Sequence, residues 1–102
     1  MPSSSNRERQ YRIALSGEIA KSLGRFQYQE SLQGRGEQFL QALRTIVEGL
    51  VHHPRKLGEP LYHLNALRLQ VRSVAVSPLL IHFAIHDDYP LVFIKSVALL
   101  PK

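Results

Sequence analysis

Midway along the chain the spacing of apolar residues changes from three or four to two, and few folds accommodate both patterns. Before the change, Phe39, Leu40, Leu43, Ile46, Val47 and Leu50 make a broad stripe on a helix over residues 36–52. Glu37, Gln41, Arg44 and Glu48 form its wet face, and Pro54 ends it. After the change, Leu67, Leu69 and Val71 alternate with Arg68, Gln70 and Arg72. Ile81, Phe83 and Ile85 then alternate with Leu80, His82, Ala84 and His86 in a strand from Leu79 to His86. A helical stripe followed by half-buried strands calls for a helical layer laid on a sheet.

The remaining elements follow from turn and cap signals. Tyr11, Ile13 and Leu15 alternate with Arg12 and Ala14, which predicts a first strand within Gln10 to Ser16. Ser16 is a good N-cap for a first helix over residues 17–29, with Glu18 near its positive end. Gly34 and Gly36 break the pattern and turn the two helices into an antiparallel hairpin. A loop is expected from His53 to Pro60, and turns at Ser77-Pro78 and at Asp87 to Pro90. Leu91 to Leu100 is nearly continuous in apolar residues and reads as a central strand buried on both faces. The expected order is β-α-α-β-β-β, an α+β two-layer domain over residues 10–102. The helical hairpin covers one face of a small, mainly antiparallel sheet, and the first strand pairs with the last. Residues 1–9, Ser-rich and charged, read as a flexible tail.

Composition narrows the function classes. The 102 residues make one domain, and the absence of cysteine excludes disulfides, thiolate zinc sites, iron–sulfur clusters and a thiol nucleophile. No apolar run reaches the ~20 residues of a membrane span, and no signal-peptide core opens the chain, so a cytoplasmic protein is expected. Thirteen Lys and Arg against eight Asp and Glu give a net charge of +5, which suits a nucleic acid, a nucleoprotein or an acidic protein partner.

The candidate site lies on the sheet. By alternation Arg68, Gln70 and Arg72 project opposite the core face, with His82 and His86 beside them on the next strand. Lys95 interrupts an apolar strand and needs water or a partner. Arg55 and Lys56 flank this region from the loop, completing a basic patch suited to phosphate contacts. His82 and His86 sit about 13 Å apart on a strand, too far to share one ion, so no metal and no cofactor are expected. Asp87 and Asp88 read as a solvated hairpin tip and His52-His53 as a helix C-terminal cap.

The element order, together with the stretches Pro54 to Leu64, Leu67 to Arg72, Leu80 to Ile85 and Leu91 to Val97, resembles the RelE/ParE superfamily. These are the toxins of type II toxin–antitoxin systems, often called plasmid stabilisation proteins, and the resemblance spans nearly the whole domain. It implies a cognate antitoxin as partner, acidic or amphipathic and wrapped around the toxin. RelE-like members bind the ribosome and cleave mRNA in the A site, with basic residues on the concave sheet face around the scissile phosphate. Carried over by position, that set falls on Arg68, on Gln70 (not basic) and on Arg72, with Glu59 as base and His82 as a stand-in. The arginine that opens the next strand falls on Leu80, and the basic residue of the last strand on Leu99 or Leu100. The resemblance thus implies an RNA-binding toxin, with ribosome-dependent endoribonuclease activity as the enzymatic form. ParE-like members inhibit DNA gyrase by binding and need no nuclease set. A third reading is a member without catalysis that acts only as a protein-binding module.

Overall fold

The computed structural model describes residues 10–101. Strand β1 (Arg12–Ala14) leads into helices α1 (Gly17–Leu32) and α2 (Gly36–His52) and a single 3-10 turn (Pro54–Lys56). Strands β2 (Glu59–Leu64), β3 (Leu69–Val76), β4 (Leu79–His86) and β5 (Leu91–Leu99) follow. The expected tail at residues 1–9 lies outside the described residues. The five strands form one sheet in the order β1-β5-β4-β3-β2. β1 pairs with β5, as expected, and runs parallel to it, while every other pair is antiparallel.

Both helices pack on one face of this sheet. Phe39, Ala42, Ile46 and Leu50 of α2 meet Val74, Ile81, Phe83, Ile85 and Val92 in a single core. Phe39 and Phe83 are wholly buried, and removing a side chain of that kind from water stabilises the fold by roughly 2–3 kcal/mol. Helix α1 is peripheral: Leu23 and Phe26 pack against the core half-buried, and its one fully buried residue is Glu30. Ser16 caps α1 as its sequence suggests, accepting from the Ile19 N–H at 3.2 Å. Glu30 in turn accepts from Arg35 at 2.8 and 3.3 Å, which pins the hairpin turn around Gly34.

Four details differ from the sequence expectation. A strand, β2, begins at Glu59, inside the loop expected from His53 to Pro60. The alternating run expected from Leu67 begins only at Leu69, because the chain turns at Asn65–Arg68, where Arg68 takes a left-handed backbone with φ 56°. Leu67 therefore sits exposed in a turn and belongs to no strand face. The sheet's centre is β4, whose Leu79, Ile81, Phe83, Ala84 and Ile85 are all buried. β5 lies one strand out, and its Lys95, Ser96 and Ala98 are exposed because neither helix covers that side. Helix α1 also extends to Leu32, three residues past its expected end.

Candidate functional site

The face away from the helices is crossed by one polar row. Cross-strand registry places Glu59 of β2 opposite Ser73 of β3, Ser73 opposite His82 of β4, and His82 opposite Ser96 of β5. Adjacent strands lie about 4.8 Å apart, so the row spans roughly 14 Å. Lys95 is the extra residue of a bulge at this level, beside Ser96 and opposite His82, and is exposed. The bulge thus resolves the problem of a lysine in an apolar strand: its ammonium stands in water.

Apolar rows flank the polar one. On one side run Tyr62, Val71, Ala84, Phe93 and Ala14, one residue from each strand. On the other run Ala75, Leu80 and Ala98. Val71 and Ala84 are each 1% exposed although no helix covers them, so the larger side chains around them close over this part of the face. The result is a mainly apolar surface with hydroxyl, imidazole, carboxylate and ammonium groups in one line.

The basic residues expected to share this face are dispersed. Arg72 stands opposite Phe83 and Gln70 opposite Ile85, so both occupy the helix-covered side, the reverse of the expected parity. Arg72 is 7% exposed and donates from Nε to the Leu57 carbonyl at 2.9 Å and from Nη2 to the Gly58 carbonyl at 3.1 Å. Its guanidinium ties β3 to the loop before β2. Arg68 lies at the β2–β3 turn and makes a bidentate pair with Asp88, at 2.5 and 2.9 Å. Arg55 donates to the carbonyls of His86 and Asp87, at 2.9 and 3.3 Å, while Lys56 is exposed on the 3-10 turn. Of the expected patch, only Lys95 meets His82.

A second cluster gathers at the end of the sheet where the two hairpin tips meet. His63 Nδ1 lies 2.6 Å from Asn65 Oδ1, and Nε2 lies 2.8 Å from Asp87 Oδ2. His86 Nδ1 accepts from the N–H groups of Asp88 and Tyr89, at 3.0 and 3.2 Å, and the ring lies against Tyr89. The hydrogen bonds to Asn65 and then Asp87 hold the His63 imidazole above its ordinary range. Arg68, bonded to Asp88, holds that carboxyl below its own. The tip expected at Asp87 and Asp88 is therefore present, and both carboxylates are paired across hairpins. Sequence reasoning missed His63, Asn65 and Ser73. The signal for Ser73 was its place in the alternation, but the tip contacts depend on a turn at Asn65–Arg68 that carries no Gly or Pro.

Chemically, the row offers hydrogen bonds and a single cation on an open surface. Cleavage of a phosphodiester needs a base, an acid and several charges around the phosphate. Glu59 and His82 sit two strands apart on the row, without an arginine between them. Among the described residues no cluster of three or more His, Cys, Asp or Glu forms a metal site. No described helix is long and apolar enough to cross a membrane.

The chain matches no protein-family model, no curated protein and no solved structure.

Proposed function

We propose that this chain is the toxin component of a type II toxin–antitoxin pair with RelE/ParE-like architecture, acting by binding its target through the uncovered sheet face. The observation that carries the reading is the division of the sheet. The helical hairpin takes one face, and the other presents the row Glu59, Ser73, His82 and Ser96 with Lys95. With a net charge of +5, the ribosome and its A-site mRNA are the target, and the cognate antitoxin is the acidic partner.

Binding without cutting is favoured because Arg72 is engaged inside the fold and Arg68 is paired with Asp88 at the hairpin tips. The same observation favours a second reading, inhibition of DNA gyrase by protein contacts alone. A cell-free translation assay with the purified chain, followed by mapping of mRNA ends, tests the first. Translation arrested on intact mRNA supports it, whereas codon-phased cuts would show that catalysis operates. Normal translation removes the ribosomal reading, and loss of supercoiling in a gyrase assay would then establish the second.

A further inference from the structure

Both ring nitrogens of His63 face oxygen acceptors. Nδ1 lies 2.6 Å from Asn65 Oδ1, while Nε2 lies 2.8 and 3.1 Å from the two carboxylate oxygens of Asp87. A neutral imidazole carries one N–H and can donate to only one of them; the imidazolium donates to both. The two acceptors belong to different hairpins. Asn65 sits in the turn after β2, and Asp87 in the turn after β4.

We propose that His63 is a pH-operated clasp: as imidazolium it donates both to its own turn at Asn65 and to the β4–β5 tip at Asp87, and on losing its proton it keeps only one of the two bonds, which loosens edge strand β2. The groups around it account for the sensitivity. Asp87 favours the charged ring, and Arg68 opposes it. Asp88 neutralises Arg68 through their bidentate pair. Gln70, directly opposite on β3, is uncharged, and Arg55 is bound to the His86 and Asp87 carbonyls from the 3-10 turn. His86 presents Nδ1 as an acceptor to backbone N–H groups of the same tip.

The release is local. The Arg68–Asp88 pair and the bond from the Asp87 N–H to the Arg68 carbonyl, 2.9 Å, still join the tips when His63 is neutral. Arginine keeps its charge throughout, and Asp88 gains a proton only in acid. Near neutrality His63 is thus the moving part. Its folded-state pKa lies above the ordinary value of 6.5. Its contribution is therefore full below that value and is lost as pH rises through the folded pKa. The strand that loses most is β2, which carries His63 and whose outer side has no partner strand among the described residues.

Two measurements on the full chain test this. Ring-nitrogen NMR at pH 6 is expected to show protons on both His63 nitrogens. Amide hydrogen exchange, corrected for its intrinsic pH dependence, is expected to quicken several-fold in β2 as His63 titrates, with β4 and β5 unmoved. The His63→Gln variant should lack the step. A single ring proton at pH 6, with the Asn65 amide turned to donate to Nδ1, would overturn the proposal. So would β2 protection that ignores pH, or a step that persists in His63→Gln.

Discussion

Arg72 and Phe83 stand directly opposite each other on β3 and β4, so an arginine shares the covered face with a wholly buried ring of the core. It is tolerated there because the helices give way, at that edge of the sheet, to the Leu57 and Gly58 carbonyls. A guanidinium suits this position: its planar fork reaches both oxygens, which a lysine ammonium would serve less well.

Arg72→Ala is therefore expected to act through stability. It leaves two carbonyls without their donor and a gap beside the core, a loss of about 2–4 kcal/mol in chemical denaturation. Arg72→Lys should recover only part of it. An Ala variant as stable as the parent would mean that the guanidinium does not hold the loop.

Gly58 has φ +67°, and a Cβ there would lie 2.0 Å from the Ser73 carbonyl oxygen. Gly34 has φ +78° with open space around it. Gly58→Ala should cost more than ~3 kcal/mol or prevent folding, because it combines backbone strain with a clash against backbone. Gly34→Ala should cost only about 1 kcal/mol, the strain alone. Thermal denaturation of the two variants side by side separates the contributions.

The Asp88 carboxyl is held low by its hydrogen bonds to Arg68. A depressed carboxylate contributes stability above its unfolded-state value, 3.8 here, and loses it as pH falls through the lower folded value. Carboxyl-carbon NMR should place the Asp88 midpoint below the ordinary range. In Arg68→Ala the midpoint should move back up, with little change in global stability because the pair is exposed.

On the uncovered face, Lys95→Glu and His82→Ala should leave stability within about 0.5 kcal/mol, since neither residue is part of the core. If this face meets a polyanionic target, Lys95→Glu should weaken target inhibition at least tenfold, about 1.4 kcal/mol, and flatten its salt dependence. Inhibition equal to the parent's at every salt concentration would place the contact surface elsewhere.

The parts of the fold legible in the sequence were those where periodicity and burial coincide. The α2 stripe ends at His52 as its Pro54 signal requires, and β4 alternates as its sequence does, with Ile81, Phe83 and Ile85 inward. β3 misled because its bare face is also apolar. Val71 is buried there opposite Ala84, so an apolar residue at an odd position looked like core when the helix side held Gln70, Arg72 and Val74. Alternation fixes that two faces exist; it does not say which one the helices choose. The candidate row was half legible. His82 and Lys95 were visible as polar residues among apolar ones and Glu59 only through the family resemblance, but their alignment needed the registers and the bulge at Lys95. The tip pairs of His63 and Arg68 are contacts between hairpins, and no local pattern encodes them.

β1 contributes three residues, and its ladder partner is β5, with Arg12 beside Leu91 and Ala14 beside Phe93. The opening and closing strands of the domain are thus neighbours, with both helices and three other strands between them in the chain. During synthesis β1 lacks its ladder partner until β5 has emerged. A nascent chain of this protein can form its helical hairpin early, but the sheet is complete only once β5 has joined β1 and β4.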